Sequence, residues 1–333
     1  MANTIDWGKA TQNNTNGFGK YQNTIGAASI YEDSYAGETA LIGTSAAFSY
    51  AKSSYHQDET DPTPTITGTT GGTFSATPSG LSINSSTGTI DLSASTIQPY
   101  TITYTVSGVS ANFSLSVTAS PFISNTFSMQ FDSASSQYID AGNILNFGNG
   151  TTDSAFSISA WINMTSTSGF RIFNRYDGSN YEYSFGTGGN NKLQFYIFDT
   201  INRYRAIVMT TVLNTGQWYH VAATYSGVGG ANAQDGMTIY VDGVPATVTE
   251  TIAGNYQAMP NLSINAYIGK LNTSYANGKI DEVAIWDTAL SSDAVTEIYN
   301  ATNNNTGKAL DLNTNTGNYT NSSSLQYWNR MGD

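Results

Sequence analysis

Two histidines, no cysteine and a thin scatter of carboxylates bound the chemistry open to this 333-residue chain. Without cysteine there is no thiolate nucleophile, no thiolate metal site and no disulfide staple. A hydroxyl nucleophile needs a base beside it, and the histidines that could serve are His56 and His220 alone. His220 lies in Trp218-Tyr219-His220-Val221-Ala222, a strand-like run in which Tyr219 and Val221 share a face, so it reads as a packed core histidine. Two distant histidines are also too few for a zinc site. Glycoside hydrolysis asks for two carboxyl groups facing each other across a sugar, one kept protonated by its surroundings. Glu182, Glu250, Glu282 and Glu297 fall in separate segments, and on a strand the neighbours Asp281 and Glu282 point to opposite faces and cannot share a substrate. Turnover is therefore not expected, and the chain reads as no enzyme. Binding is better served. The segment 171–204 gathers tyrosines that can stack on sugar rings, with amides, arginines and aspartates that can hold hydroxyls. Recognition usually sits on loop tips carried by a rigid scaffold. The expected ligand contacts are therefore Arg175, Tyr176, Asp177, Asn180, Tyr181, Arg203 and Tyr204, ahead of Asn190, Asn191, Tyr196, Asp199 and Asn202.

The elements that must position these residues are strands. Residues 217–222 and 278–286 alternate apolar and polar side chains, the mark of a strand with one buried face. Val241-Asp242-Gly243-Val244 places Asp-Gly between apolar runs, a strong hairpin signal. Further strands are expected at 127–132, 156–162, 183–185 and 193–197. One helix stands out, at 289–299, with Ser291 or Ser292 able to cap it and Val295, Ile298 and Tyr299 on one face.

The order of these runs carries a resemblance. Phe131-Asp132-Ser133, Tyr138-Ile139-Asp140-Ala141-Gly142 and Phe156-Ser157-Ile158-Ser159-Ala160-Trp161-Ile162, followed by the runs at 217–222, 240–243 and 278–286, resemble the laminin-G-like (concanavalin A-like, pentraxin-like) jelly-roll family over roughly residues 125–300. Ser133 departs from the glycine usual in the first motif. The resemblance implies an antiparallel jelly-roll sandwich whose members mostly bind glycans or proteins and seldom do chemistry. Related glucanases carry their acids as Glu-x-Asp-x-x-Glu on one strand, a spacing absent here. It also implies a calcium ion where the first and last strands meet, held by Asp132 and Asp281 with help from Gln137.

Composition sets the remaining limits. A formal net charge of -12, with 12 Lys+Arg, leaves no electrostatic footprint for nucleic acid. No run of about 18 apolar residues is present, so no membrane span is expected. Residues 1–20 lack the charged start and apolar centre of a signal peptide. Asn3-Thr4-Ile5-Asp6-Trp7-Gly8-Lys9 recurs as Asn14-Thr15-Asn16-Gly17-Phe18-Gly19-Lys20, with a decayed copy at Asn23-Thr24-Ile25-Gly26. Such units offer one large apolar side chain each, too little for a core, and suit an anchor that orders on a partner. Trp7, Phe18 and Ile25 are its expected contacts. The arrangement resembles N-terminal segments of tailed-phage structural proteins.

The expected architecture is all-β. A virion-anchoring segment at 1–60 ends in an Asp/Pro-rich linker at 58–64. A small spacer at 61–121 resembles the immunoglobulin-like repeats of bacterial surface proteins, and an antiparallel jelly-roll sandwich at 122–300 precedes an Asn/Thr-rich tail at 301–333. In that tail Leu310-Asp311-Leu312 and the terminal Tyr327-Trp328 are apolar enough to dock back onto the sandwich, a disordered tail being the alternative. The implied role is a homotrimeric phage appendage on the exterior of the virion, made in the host cytoplasm. It would contact other virion proteins through its N-terminus and bind host-surface glycan or protein without catalysis. A purely structural capsid, neck or tail part and a polysaccharide depolymerase are the rivals.

Overall fold

The computed structural model describes residues 21–25, 28–32, 41–166, 169–176, 178–200, 202–304 and 307–332. They form two compact units that divide between Ser120 and Pro121. Trp7 and Phe18 lie outside the described residues, and Ile25 ends the short strand Tyr21–Ile25.

In the first unit the long hairpin of Gln98–Val106 and Val109–Thr118 organises the core. Tyr100, Ile102, Tyr104 and Val106 are buried, while the threonines between them point outward, so a period of two alone decides which face is dry. Thr73–Thr77 pairs antiparallel on one side of this hairpin, and Ser54–His56 pairs parallel on the other. The expected linker at 58–64 is instead part of this unit. Pro62 is buried and its carbonyl accepts Ile90 N–H, while Asp61 Oδ1 accepts Leu92 N–H at 2.9 Å. Ala46, Tyr50 and Tyr55 share the core with Phe74 and Leu115, which moves the start of this domain well before residue 61.

The second unit is the sandwich. In chain order its principal strands are β1 Met129–Phe131, β2 Ile139–Gly142, β3 Phe156–Met164, β4 Arg171–Tyr176, β5 Tyr181–Thr187, β6 Leu193–Thr200 and β7 Arg203–Met209. They continue as β8 Trp218–Tyr225, β9 Met237–Val241, β10 Val244–Pro245, β11 Val248–Ala253, β12 Ala266–Ile268, β13 Gly278–Trp286 and β14 Leu325–Asn329. The first sheet runs β1-β13-β3-β8-β9-β10, with β14 pairing the rest of the edge of β13 that β1 occupies. The second runs β2-β12-β4-β5-β6-β7-β11. All these pairings are antiparallel, and alternate side chains of both sheets meet in one core in which Phe147 stacks on Phe156 at 4.4 Å.

The Asp-Gly hairpin forms as expected between β9 and β10, with Asp242 and Gly243 both in the left-handed region at φ 50° and 77°. The helix α1, Ser292–Asn303, is capped by Ser291, whose Oγ accepts Ala294 N–H at 3.1 Å. Ala294, Val295, Ile298 and Ala301 are buried against the outer face of the first sheet, alongside Ala284 and Trp286. The segment after residue 300 is no loose tail. Leu310, Leu312 and Tyr319 join that layer, and β14 completes the sheet, so the domain extends past the expected limit at 300.

Candidate functional site

On β6 the sequence alternates Leu193, Phe195 and Ile197 into the core with Gln194, Tyr196 and Phe198 on the other side. Among the described residues of the unit, no helix packs over this outward set as α1 does over the first sheet. Instead an open groove of about 280 Å³ lies there, walled by Tyr176, Tyr181, Tyr196 and Phe198, with Arg171, Gln194, Ser184, Gly186 and Leu271 completing it. Gly186 is needed on its own strand: a Cβ there would meet Phe170 O at 2.4 Å, so the two backbones can approach only without one.

The rings form a continuous aromatic surface. Tyr176 meets Tyr181 edge-on at 4.1 Å, Tyr181 meets Phe198 at 5.4 Å, and Phe198 stacks on Tyr196 at 5.7 Å. Tyr204 adjoins both Tyr196 and Phe198 at 5.5 and 5.7 Å. Burial holds the Tyr196 hydroxyl above its ordinary pKa, with Tyr204 adding to the effect, so it acts as a neutral donor and acceptor. Tyr181 OH donates to Gly178 O and Ser184 Oγ to Asn174 Oδ1, which spends those two groups. A surface of this kind suits the flat C–H face of a ring lying on aromatic side chains, with a few polar groups fixing its orientation.

Of the expected contacts, Tyr176 and Tyr181 line the groove and Tyr204 extends its aromatic wall. Arg203 sits beside it but is paired with Asp199 at 2.7 Å. Asn180 belongs to the β4–β5 turn, and Asp177 lies outside the described residues. Arg175 is a correction. It is fully buried, its Nε 2.9 Å from Glu182 Oε2, and its guanidinium also donates to Leu262 O and Asn143 Oδ1. Burial, partly offset by Arg175, raises the pKa of Glu182. This pair braces the loops at the rim of the second sheet and cannot reach a ligand. The groove lies on the strand face and not at the loop tips. Phe198, Gln194 and Arg171 were missed, although the alternation Gln194-Tyr196-Phe198 already placed the first two on one face with Tyr196.

Among the described residues, no acidic side chain lines this groove. β13 carries a bulge at Glu282, which has φ 49°, and Ile280, Val283 and Ile285 all face the core. Asp281 and Glu282 therefore share the outer face, against the expectation of simple alternation. Glu282 accepts Trp328 Nε1–H at 2.6 Å and lines a void of only about 10 Å³ beneath α1, with Ser159 and His220. Asp281 accepts Glu282 N–H at 2.9 Å. His220 is buried as expected, 2.8 Å from Ser159 Oγ, and burial pulls its pKa down to about 3. It is therefore neutral across the physiological range, and the Ser–His contact has no room for a substrate.

The calcium set does not assemble. β1 pairs with β13 through Phe131–Gly278 and Met129–Ile280, so Asp132 lies beyond one end of that ladder and Asp281 beyond the other. At ~3.3 Å per residue they are separated by roughly 13 Å along the strands, whereas calcium ligands lie about 2.3–2.6 Å from the ion. Asp132 accepts Ala134 N–H and Ser135 Oγ–H, bonds that hold its pKa low, and Gln137 Oε1 accepts Asp132 N–H. Among the described residues no group of three or more His, Asp or Glu side chains could hold a metal ion.

A second groove, about 460 Å³, lies against the first sheet between Phe127, Trp161, Trp218, Lys279, Asp281 and Asn303. Trp161 there is already stacked on Tyr299 at 5.8 Å.

Residues 132–296 match the concanavalin A-like lectin/glucanases superfamily, in its laminin-G-type branch. The second unit thus carries a jelly-roll domain of that superfamily. Similar solved structures include a protein of Bacteroides ovatus provisionally described as carbohydrate binding, 17% identical with a TM-score of 0.46, over 86% of this chain and 89% of that one. A heptameric SAP-like pentraxin from Limulus polyphemus is 20% identical with a TM-score of 0.33, over 49% and 81%. Domain 4 of an extracellular arabinanase from Geobacillus stearothermophilus, in complex with arabinotriose, is 16% identical with a TM-score of 0.33, over 53% and 85%. A comparison with curated proteins found no match.

Proposed function

We propose that the open face of the second sheet binds a glycan without turning it over. Tyr176, Tyr181, Tyr196 and Phe198 would take the face of a sugar ring, and Gln194 and Arg171 its polar edge. The observation that carries this reading is the run of adjoining rings that line an open groove on one sheet, where much of the equivalent face of the other sheet is covered by α1 and the C-terminal segment. Membership in a superfamily that holds both lectins and glucanases is compatible with either outcome. The absence of an opposed acid pair in the groove favours the lectin side.

The test is a glycan array followed by calorimetry on the full chain. Tyr196→Ala and Phe198→Ala should each weaken binding about tenfold or more. Loss in Trp218→Ala with no loss in these two would move the site to the groove on the first sheet. Release of reducing ends from a bound polysaccharide would make the protein a depolymerase. A blank array would favour a purely structural part that uses the sandwich for protein contacts.

Within the same reading the chain is a virion appendage, trimeric and exposed on the particle, with the core of the first unit as spacer and residues 1–42 as anchor. The aromatic-glycine repeat at 3–26 and the glycan-sized groove support it. Particles carrying a chain deleted for residues 1–42 should lose the protein, and unchanged occupancy would refute the anchor. Sedimentation of the intact chain tests the trimer.

A further inference from the structure

Arg171 gives the groove a sign. It is the one charged side chain among the residues lining it; the others are aromatic, apolar or uncharged polar. Its neighbours leave the guanidinium poorly satisfied. Nη1 donates to Thr187 O at a long 3.3 Å, while Nε is enclosed and has no acceptor. Nη2 has no partner among the described residues, so the Nη1/Nη2 edge is largely uncommitted.

That edge contrasts with the other cations around the sheet. Arg175 has a buried carboxylate at 2.9 Å, Arg203 an aspartate at 2.7 Å, and Arg205 is spent on the carbonyls of Ala231 and Gly254. Arg171 is set apart by facing a concave, ring-lined space with no acid to answer it. A guanidinium edge presents two parallel N–H donors at the spacing of a carboxylate's two oxygens. Partial burial strengthens such a pair relative to water. The opposite Gly186 leaves the space over the strand open, since Arg171 and Gly186 are register partners. Gln194, which lines the groove and whose side chain makes no hydrogen bond to the described residues, can take hydroxyls flanking the acid group.

Resting on the reading of this groove as a glycan site, we infer that it selects acidic sugars, with Arg171 as the partner of a ring carboxylate and the Tyr196–Phe198 surface beneath the ring. Two sources offer this chemistry, a uronic acid and a sialic acid.

The experiment uses the full chain and calorimetry with three matched pairs. Trigalacturonate is compared with its methyl ester, which keeps the shape and loses the charge. Sialyllactose is compared with lactose, and a glucuronate-containing oligosaccharide with its neutral glucose counterpart. In at least one pair the acid should bind about ten- to a hundredfold tighter than its neutral partner, and added salt should shrink that margin. Arg171→Gln should abolish the margin, costing the acid about ten- to a hundredfold in affinity and the neutral partner much less. Arg171→Lys should restore only part of it, because a point charge lacks the paired donors. Which pair responds tells uronate from sialate. Equal binding of acid and neutral forms, or an Arg171→Gln loss that is the same for both, overturns the inference and leaves glycan binding standing. If no acid and no neutral glycan binds, the reading of the groove itself fails.

Discussion

The two sheets of the sandwich share a core and differ on their outer faces. Over the first sheet, α1, Leu310, Leu312 and Tyr319 bury Trp286 and Ala284 completely. Over the second, Tyr196 and Phe198 stay half-buried beside an open groove. Both outer faces are rich in large apolar side chains, so composition does not distinguish them. What differs is whether the chain supplies its own cover. An apolar face that a protein seals is part of its stability; one that it leaves open is available to something else. Substitutions on the two faces should therefore divide cleanly between folding and binding.

The sharpest version of that contrast is Trp286→Ala against Tyr196→Ala. Trp286 is fully buried and its Nε1 donates to Tyr319 OH at 3.0 Å. Its removal should cost about 3–5 kcal/mol, read by denaturant unfolding, while the folded fraction still binds. Tyr196→Ala should barely move the unfolding midpoint yet lose ligand. Equal stability losses for the two would erase the distinction.

Beneath the open face the buried Arg175–Glu182 pair makes a finer test. Glu182→Ala leaves a charged guanidinium without its partner and Leu262 N–H without its acceptor, at a cost of about 3–5 kcal/mol. Because the pair braces the sheet's rim and not the ring surface, affinity per folded molecule should fall little. A variant that keeps its stability would remove the pair from the frame.

Under the covered face, His220 predicts a pH signature. Its folded pKa of about 3 lies below the ordinary 6.5, so between these values the unfolded chain takes a proton that the folded chain refuses. Stability should therefore fall as pH drops from 6.5 towards 3, by about 1.4 kcal/mol per unit from this group. His220→Gln cannot titrate and should show a shallower slope than wild type, since the carboxylates titrating in the same window are common to both. Identical slopes would show that the site is wet.

The smallest effect expected is at the lid itself. Ser291→Ala removes the cap of α1 and should cost about 1 kcal/mol, seen as a small shift in the midpoint with ligand affinity intact.

Much of the fold was legible because strands announce themselves by period. The runs at 156–162, 193–197 and 278–286 all became strands, the Asp-Gly turn closed its hairpin, and Ser291 capped the helix. Three things were not legible, for physical reasons. The bulge at Glu282 changes the face of a residue without altering the composition of the strand. In the polar segment after residue 300, Leu310, Leu312 and the terminal Tyr327-Trp328 stood out as able to dock, but Tyr319 is hidden among asparagines and threonines. The groove was half visible: Tyr176, Tyr181 and Tyr204 were expected contacts, but Phe198 reads as core until its strand is seen to have an uncovered side. Arg175 and Arg171 sit four residues apart, and sequence alone does not say which one turns inward.

One consequence follows from the way β1 and β14 divide a single flank of β13. The opening and closing segments of the sandwich lie end to end on the same strand, so each guards half of an otherwise bare row of backbone donors and acceptors. A cut after Asn300, where the sequence turns to asparagine and threonine, would unzip four cross-strand pairings and leave that row available to another molecule. Truncation at this natural-looking seam would convert a closed module into a sticky one, and clumping on storage would be its first symptom.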